Sequence, residues 1–200
     1  MLKHLIILIS GEGSNLRAIV EAARQRDWLG RFSAQVSAVV SNRPHAPGLA
    51  WAQAQGIATQ VVDHTEYASR EAFDDALAQA VDQHGPAALV LLAGFMRILT
   101  PGFVARFEGR LLNIHPSLLP EFTGLNTHQR AIDTGCKTAG ATVHWVTAAL
   151  DHGGIIAQAP VPILAGDTAA LLAARVRAQE HLLYPAAIEG LLAEMHGANQ

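Results

Sequence analysis

The stretch HLIILISGEGSNLRAIVEAARQ, residues 4–25, joins an apolar run to a helical pattern through a glycine turn. Residues 4–10 are apolar almost without interruption, which is typical of a strand buried on both faces of a parallel sheet. Gly11 and Gly13 permit a tight turn into the helix that follows. A strand leading directly into a helix in this way predicts the first half of a β-α-β unit.

The same alternation continues through the first 115 residues. Further runs rich in Val, Ile and Leu occupy residues 34–42, 58–63, 87–94 and 109–115. Helical patterns lie between most of these runs, with a cap at Ser69 and stops at Gly56 and Gly85. Repeated right-handed β-α-β units predict an α/β fold of the Rossmann-like type, an open, mostly parallel twisted sheet flanked by helices on both faces.

The pattern changes after Pro120. Residues 140–151 alternate more visibly between apolar and polar, and residues 153–164 follow a turn-like DHGG sequence. The two segments are therefore predicted to pair as a C-terminal hairpin. Pro160 and Pro162 place the second segment at an edge of the sheet or outside it, because proline cannot donate to a central ladder.

A long final helix is predicted from Thr168 to Met195, with a break near Tyr184 and Pro185. The sequence contains no internal repeat, low-complexity tract or linker. With 200 residues, half of them apolar, the chain is long enough for one sizeable core. We therefore expect a single domain over residues 1–200.

Composition narrows the range of partners. The formal net charge is -3 and the pI is near 6.3, without a run of like charges, so we expect neither nucleic acid nor anionic membrane as a partner. No apolar run approaches the roughly 18 residues of a membrane span, and the first run resembles a strand more than a signal peptide. Cys136 is the only cysteine, which excludes an intrachain disulfide and suits a reducing cytoplasm. Small-molecule partners and a cytoplasmic location are expected.

The glycine turn is a candidate phosphate site. The N–H groups of Ser14, Asn15 and Leu16 at a helix start favour an anion, and Gly11 and Gly13 let the backbone approach it. The motif is GxGxxL rather than GxGxxG, and no acidic residue follows the second strand, so a dinucleotide is not indicated. The alternative is a plain strand-to-helix turn capped by Ser14 or Asn15.

A polar cluster is predicted at the end of the fifth run. Asn113 and His115 are two residues apart and so point to one face, near the carboxyl end of a strand, where open α/β sheets bind ligands. Asp151 ends the 140–151 segment and could favour the protonated imidazole or hold its tautomer. An amide donor, an imidazole and a carboxylate suffice for acyl transfer without a covalent intermediate. Alternatively, each is a structural residue: Asn113 a loop amide, His115 a satisfied buried histidine and Asp151 a turn residue.

Covalent and metal chemistry find less support. Cys136 has no paired base, and Ser14 and Ser117 lack a GxSxG elbow. His128 and His144 could suggest zinc, but no recognised ligand spacing is present. We interpret His144 as a strand histidine with a structural partner.

Seven segments resemble, in order, the motifs of the phosphoribosylglycinamide formyltransferase family of purine biosynthesis. They are ISGEGSNL, VVSNRP, LLAGFMRILTPGFV, LLNIHPSLLPEF, TGLNTHQRAI, GATVHWVTAALDHGGIIAQ and RAQEHLLYP. The resemblance covers nearly the whole chain and implies the formyltransferase type of the Rossmann-like fold. It also implies a phosphate-binding half over residues 1–115 and a folate-site half over residues 116–200.

The resemblance implies transfer of the formyl group of 10-formyltetrahydrofolate to the amine of glycinamide ribonucleotide, without a metal. Asn113 would bind the formyl oxygen, His115 would donate a proton, and Asp151 would support His115. The glycine loop would hold the substrate phosphate through Gly13, Ser14 and Asn15.

Further contacts are implied by position. Glu180 would contact the amino substrate, and Asn126, His144 and Arg177 are possible modulators. Asn126 replaces a histidine common in the family, Thr123 a proline and Arg177 a glutamine. The folate contacts would be Arg70, Met96, Arg97, Ile98, Leu99, Asn113, Thr147, Ala148, Ala149, Leu150 and Asp151.

Several alternatives remain within this resemblance. Hydrolysis of formyltetrahydrofolate uses the same chemistry with water as the nucleophile, and that enzyme usually carries an additional N-terminal domain. Methionyl-tRNA formylation would require a basic C-terminal domain. A non-catalytic phosphate- or folate-binding module has no need of Asn113, His115 and Asp151 together. We expect a monomer or a weak homodimer.

Overall fold

The computed structural model describes residues 1–198 and contains one seven-stranded sheet in the order β3-β2-β1-β4-β5-β6-β7. The first five strands are parallel, and β6 and β7 are antiparallel. The strands are β1 Lys3–Ile9, β2 Ala34–Ser41, β3 Ala58–Val61, β4 Ala87–Leu92, β5 Leu111–His115, β6 Thr138–Trp145 and β7 Ile155–Pro162. The predicted fold class and the five apolar runs are confirmed.

Seven α-helices accompany these strands within the described residues. The helices are α1 Ser14–Gln25, α2 Trp28–Phe32, α3 Pro47–Ala54, α4 Arg70–Asp82, α5 Pro101–Arg106, α6 Thr127–Asp133 and α7 Ala169–Gly197. A short 3-10 helix spans His64–Glu66. The short helices α2, α5 and α6 were not predicted, since five to seven residues show too little periodicity to be recognised.

The central strands are apolar on both sides because helices cover both faces of the sheet. In β1, Leu5, Ile7 and Ile9 pack towards α1, α2, α3 and α7, whereas Ile6 and Leu8 pack towards α4 and α5. All five side chains are fully buried. The unbroken apolar run of the sequence therefore reflects burial on two sides rather than a helical stripe.

The predicted hairpin is confirmed, and its second strand β7 forms an edge of the sheet. Ile163 donates its N–H inward to the Lys137 carbonyl, so positions 160 and 162 direct their backbone nitrogens away from β6. Pro160 and Pro162 occupy these two outward positions. The prolines are therefore tolerated because they remove no bond from the ladder.

The predicted break in the final helix is wrong. Helix α7 runs without interruption through Pro185. Proline removes one intrahelical bond, the one that would end on the His181 carbonyl, and this loss bends or weakens a helix without always ending it. Tyr184, Ile188 and Leu192 are fully buried against the sheet on either side of Pro185, and this packing holds the helix together.

None of the helices among residues 1–198 combines the length and the apolarity that a membrane crossing demands.

Candidate active site

The predicted polar cluster lies in one cavity at the carboxyl ends of β4 and β5. The cavity encloses about 230 Å³ and is lined by Asn113, His115 and Asp151 together. Its wall also includes residues 94–99, Gly124, His144, residues 146–148 and Leu150. The three polar side chains span 38 positions of the sequence, yet they converge on one space. This is the edge of the sheet, at the carboxyl ends of parallel strands, where α/β proteins bind ligands.

His115 and Asp151 form a buried pair. Nδ1 of His115 lies 3.5 Å from Oδ2 of Asp151, and the two side chains are 7% and 6% exposed. On the other side of the ring, Nε2 lies 3.0 Å from the Phe122 carbonyl oxygen, which can only accept, so Nε2 carries a hydrogen. The Gly124 N–H donates to the same Asp151 oxygen at 2.9 Å. The carboxylate is thus held by the backbone while it faces the imidazole.

His144 joins this cluster, although it was interpreted from the sequence as a structural histidine. It stands opposite Asn113 in the β5–β6 register, and the Asn113 amide nitrogen lies 3.2 Å from its Nε2. The same Nε2 is 3.8 Å from Oδ1 of Asp151. The ring is 2% exposed and lines the cavity. His144 therefore contacts both a candidate oxyanion donor and the candidate carboxylate.

Burial favours the neutral form of His144. Desolvation lowers the pKa of His144 below 6.5, and the nearby His115 adds to this effect, whereas the Trp145 carbonyl and Asp151 oppose it. The Nδ1 atom lies 2.9 Å from the Trp145 carbonyl oxygen and so carries the hydrogen of the neutral ring. Nε2 is left as an acceptor for Asn113.

The segment FMRIL, residues 95–99, both packs into the core and lines the cavity. Phe95 and Leu99 are buried in the core, whereas Met96 and Ile98 are 64% and 56% exposed and line the cavity. The apolar side chains at the mouth suit a flat, largely apolar ligand with a few polar edges.

Two buried side chains hold this segment in place. The Ser10 hydroxyl accepts the Met96 N–H at 2.7 Å and donates to Asn42 Oδ1 at 2.5 Å. At the other end of the segment, Asp74 accepts the Thr100 N–H at 2.5 Å. These bonds satisfy backbone donors that would otherwise be orphaned at the edge of the sheet.

A second cavity lies beside the glycine loop. It encloses about 560 Å³ and is lined by the loop, residues 10–15, and by Arg43 and Arg177. Gly13 has φ 70° and caps α1 without any side-chain hydrogen bond, so the proposed capping by Ser14 or Asn15 is wrong. The N–H groups of the first turn therefore stay available for an anion, and two guanidinium groups face the same space.

A close backbone approach shapes this loop. The Gly48 N–H donates to the Gly11 carbonyl at 3.1 Å. A Cβ atom on Gly48 would lie 2.6 Å from Ile9 Cδ1 and 3.3 Å from the Gly13 Cα. Only glycine fits at position 48, and the first turn of α3 therefore packs directly against the glycine loop.

The side chain of Asn15 points to α7 rather than to the loop's anion site. Its Nδ2 donates to Oε2 of Glu180 at 2.8 Å, whereas its buried Oδ1 has no hydrogen-bond partner. Asn15 and Glu180, both predicted to contact the substrate, are therefore neighbours. The side-chain oxygens of Asn15 and Glu180 can accept hydrogen bonds from a ligand.

Not every predicted site residue reaches a cavity. Arg70 is exposed at the first position of α4 and does not line the cavity around Asn113 and His115. Ala149 is likewise absent from the wall, although Thr147, Ala148 and Leu150 line it. Asn126 is exposed at the N-cap of α6, with φ 57° and no side-chain capping bond. These roles stay predictions.

His128 lies half-buried on α6, and burial, followed by the charges of Arg177 and His115, lowers its pKa. Within residues 1–198, no three His, Cys, Asp or Glu side chains are grouped so that they could hold a metal ion.

A Rossmann-like sheet with an Asn, His and Asp cluster at its carboxyl edge is a candidate group-transfer site, and comparison with known proteins identifies the family. The chain belongs to the formyl transferase family, whose model matches residues 3–188. It is 47% identical to the Escherichia coli phosphoribosylglycinamide formyltransferase over 185 residues, which are 92% of this chain and 85% of that protein.

Other relatives agree. The human trifunctional purine biosynthetic protein adenosine-3 is 44% identical over 93% of this chain, which corresponds to 18% of that longer protein. The crystal structure of phosphoribosylglycinamide formyltransferase from Brucella melitensis superposes with a TM-score of 0.88 at 51% identity, covering 96% of this chain and 97% of that one. Glycinamide ribonucleotide transformylase 1 from Symbiobacterium toebii superposes with a TM-score of 0.90 at 44% identity, covering 96% and 89%.

Proposed function

We propose that this protein transfers the formyl group of 10-formyltetrahydrofolate to the amine of glycinamide ribonucleotide in de novo purine biosynthesis. The products are N-formylglycinamide ribonucleotide and tetrahydrofolate. The observation that carries the proposal is that the two cavities share Gly94 and Met96 in their walls. A ribonucleotide whose phosphate lies at the glycine loop can therefore extend its amine towards Asn113 and His115.

The residues present fit both substrates. The cavity around Asn113 offers exposed apolar side chains, Met96 and Ile98, for a pterin ring, with backbone groups of the surrounding loops at its edges. The glycine-loop cavity offers uncapped helix N–H groups, Arg43 and Arg177 for a phosphate. The family membership and the named relatives support the same pair of substrates.

The proposed chemistry is direct transfer. The substrate amine attacks the formyl carbon, the bond from that carbon to folate N10 breaks, and one proton passes from the amine to N10. The Asn113 amide donates to the formyl oxygen as negative charge develops on it. His115 supplies and recovers the proton, and Asp151 orients its ring and stabilises the charged form.

The assignment of these roles rests on geometry. Asn113 is fixed by His144, His115 faces Asp151 across 3.5 Å, and all line the same cavity. A protein that only bound folate would not require a buried imidazole and carboxylate pair, because burying such a pair costs free energy and ionisable groups of this kind cluster at catalytic sites.

We also infer the cellular setting and organisation. The substrates are small metabolites, so a cytoplasmic enzyme acting as a monomer or weak homodimer, without nucleic acid or membrane, is expected. The two halves predicted from the sequence, residues 1–115 and 116–200, fit one domain in which both cavities draw side chains from both halves, Met96 and Thr147 in one and Ser14 and Arg177 in the other.

The experiment is a spectroscopic assay of formyl transfer from 10-formyltetrahydrofolate, with and without glycinamide ribonucleotide. Turnover that requires the ribonucleotide, and that falls about 100- to 10,000-fold in His115→Ala, supports the proposal. Release of tetrahydrofolate without the ribonucleotide indicates a hydrolase instead. Absence of turnover in both assays, with folate still bound, indicates a binding protein.

A further inference from the structure

A turn of five residues, 122–126, covers the catalytic pair and has an unfavourable backbone. Three of its members lie in the left-handed region, Phe122 at φ 54°, Gly124 at φ 76° and Asn126 at φ 57°. Glycine and asparagine tolerate this region, but it is unfavourable for a bulky residue such as Phe122. Contacts from outside the turn must therefore hold its conformation.

The turn provides two of the backbone groups that contact the catalytic side chains. The Phe122 carbonyl accepts the hydrogen of His115 Nε2 at 3.0 Å, and the Gly124 N–H donates to Asp151 Oδ2 at 2.9 Å. The orientation of the imidazole and of the carboxylate thus depends on where the turn places these two groups. A displacement of about 1 Å in such a contact can lower a rate roughly 100-fold.

Arg130 fastens the turn from the outside. Its Nη1 lies 2.6 Å from the Thr123 carbonyl oxygen and 3.4 Å from that of Leu125. Its guanidinium also lies over the Phe122 ring, with the guanidinium carbon 5.4 Å from the ring centroid. A planar guanidinium suits this combination of neighbouring carbonyls and an aromatic face, whereas an ammonium group makes only part of it.

Arg130 is separate from the cavity itself. It is exposed on α6 and does not line the wall around Asn113 and His115. The helix that carries it is anchored, because Ala131 is buried and the neighbouring Ile132 packs against the core. Arg130 therefore connects a packed helix to the turn, and its side chain is not part of the cavity wall.

We propose that Arg130 is a positioning residue for formyl transfer: it clamps residues 122–125 so that the Phe122 carbonyl and the Gly124 N–H hold His115 and Asp151 in their working geometry. The inference rests on the proposed function for its kinetic consequence. Its structural consequence, a change at the His115 ring when Arg130 is removed, does not depend on which reaction the site performs.

The test compares Arg130→Ala with Arg130→Lys and with Gln129→Ala. Gln129 is the matched control because it is exposed, adjacent on α6 and bonded only to Asp133, one helical turn away. For each variant we would measure kcat, the KM for glycinamide ribonucleotide, the melting temperature and the ¹⁵N NMR signal of the His115 ring.

The clamp predicts that Arg130→Ala lowers kcat by roughly 10- to 100-fold with an unchanged KM for the ribonucleotide. The His115 Nε2 signal should lose its hydrogen-bonded position, Arg130→Lys should recover part of both effects, and Gln129→Ala should match the wild type. An Arg130→Ala protein with native kcat and a native His115 signal overturns the proposal, as does an equal loss in Gln129→Ala.

Loss of folding and failure of the proposed function can each be distinguished from failure of the clamp. If Arg130→Ala melts before the assay temperature, Arg130→Lys decides the question through the same two readouts. If the wild-type protein transfers no formyl group, the proposed function fails, and the NMR signal of His115 alone decides whether Arg130 holds the turn.

Discussion

The Asn113 amide nitrogen lies 3.2 Å from Nε2 of His144, its partner across the β5–β6 ladder. Because the Trp145 carbonyl occupies Nδ1 of His144, Nε2 must accept, and the Asn113 side chain must present its NH₂ group to it. One N–H of Asn113 is thereby used, and the other remains for a ligand oxygen in the cavity. The neutral histidine fixes which end of the amide faces the substrate.

Asn113→Ala should lower kcat by roughly 100- to 1,000-fold, because it removes a donor aimed at the developing oxyanion. The affinity for folate should change far less, since the apolar wall at Met96 and Ile98 is untouched. Steady-state kinetics together with a folate-binding titration measure both quantities. Gln53→Ala, an exposed amide bonded to Thr59, is the control. Near-native turnover in Asn113→Ala would show that another group stabilises the oxyanion.

Acidification should destabilise the wild-type protein through His144. Since burial lowers the pKa of His144 below 6.5 in the folded state, the unfolded chain binds the proton more readily. The stabilisation is fully present above pH 6.5 and is lost as the pH falls through the folded-state pKa. Urea unfolding of wild type and His144→Gln at several pH values checks this, because His128 and His181 contribute equally to both proteins.

The difference in unfolding free energy between these two proteins should shrink as the pH is lowered. In addition, kcat of His144→Gln should fall less than that of the wild type as the pH is lowered. Glutamine cannot be protonated in this range, so its hydrogen bond to Asn113 is kept. A constant difference across the pH range would mean that His144 is not buried in its neutral form.

Arg177→Ala should raise the KM for glycinamide ribonucleotide by about 10-fold or more, with little change in kcat. A charged hydrogen bond contributes about 1.5–3 kcal/mol, and about 1.4 kcal/mol corresponds to a factor of ten in binding. Arg43 and Arg177 outnumber Glu12 in this cavity, so the effect should weaken at high salt. Arg31→Ala, whose guanidinium pairs with Glu189, is the matched control. An unchanged KM would remove Arg177 from the phosphate site.

Tyr184→Phe should lower the free energy of unfolding by about 1 kcal/mol. The fully buried hydroxyl lies 3.3 Å from the carbonyl oxygens of both Leu92 and Leu112, and burial raises the pKa of Tyr184 well above 10.0, so the group stays a donor. Urea titration measures the loss, and Tyr67→Phe, the chain's other tyrosine, is the control. Equal stability of Tyr184→Phe and the wild type would mean that the hydroxyl contributes nothing net.

The sheet could be predicted from the sequence because its signal is local. Each strand of the first half appears as an apolar run between turn residues, and the two prolines of β7 mark an edge without knowledge of any partner. Pro185 misled the prediction for the opposite reason. Local stereochemistry disfavours a helix there, and only the burial of Tyr184 and Ile188 against the sheet explains its continuation.

The candidate site could be predicted only in part. Alternation placed Asn113 and His115 on one face, but the partner of Asn113 depends on the register of β6 against β5, which no periodicity reveals. The same limit applies to Arg130, whose importance lies in backbone groups of Thr123 and Leu125. A contact to a backbone group does not depend on the residue type of the partner, so the role proposed for Arg130 could not be assigned from the sequence.

The prolines of β7 also bear on self-association. An incoming strand that tried to extend the sheet would need backbone donors along the outer side of β7, and positions 160 and 162 supply none. Growth of the sheet into larger aggregates is therefore disfavoured at this edge by missing backbone donors rather than by bulky side chains. The enzyme can remain concentrated in a cell without that border acting as a template for other chains.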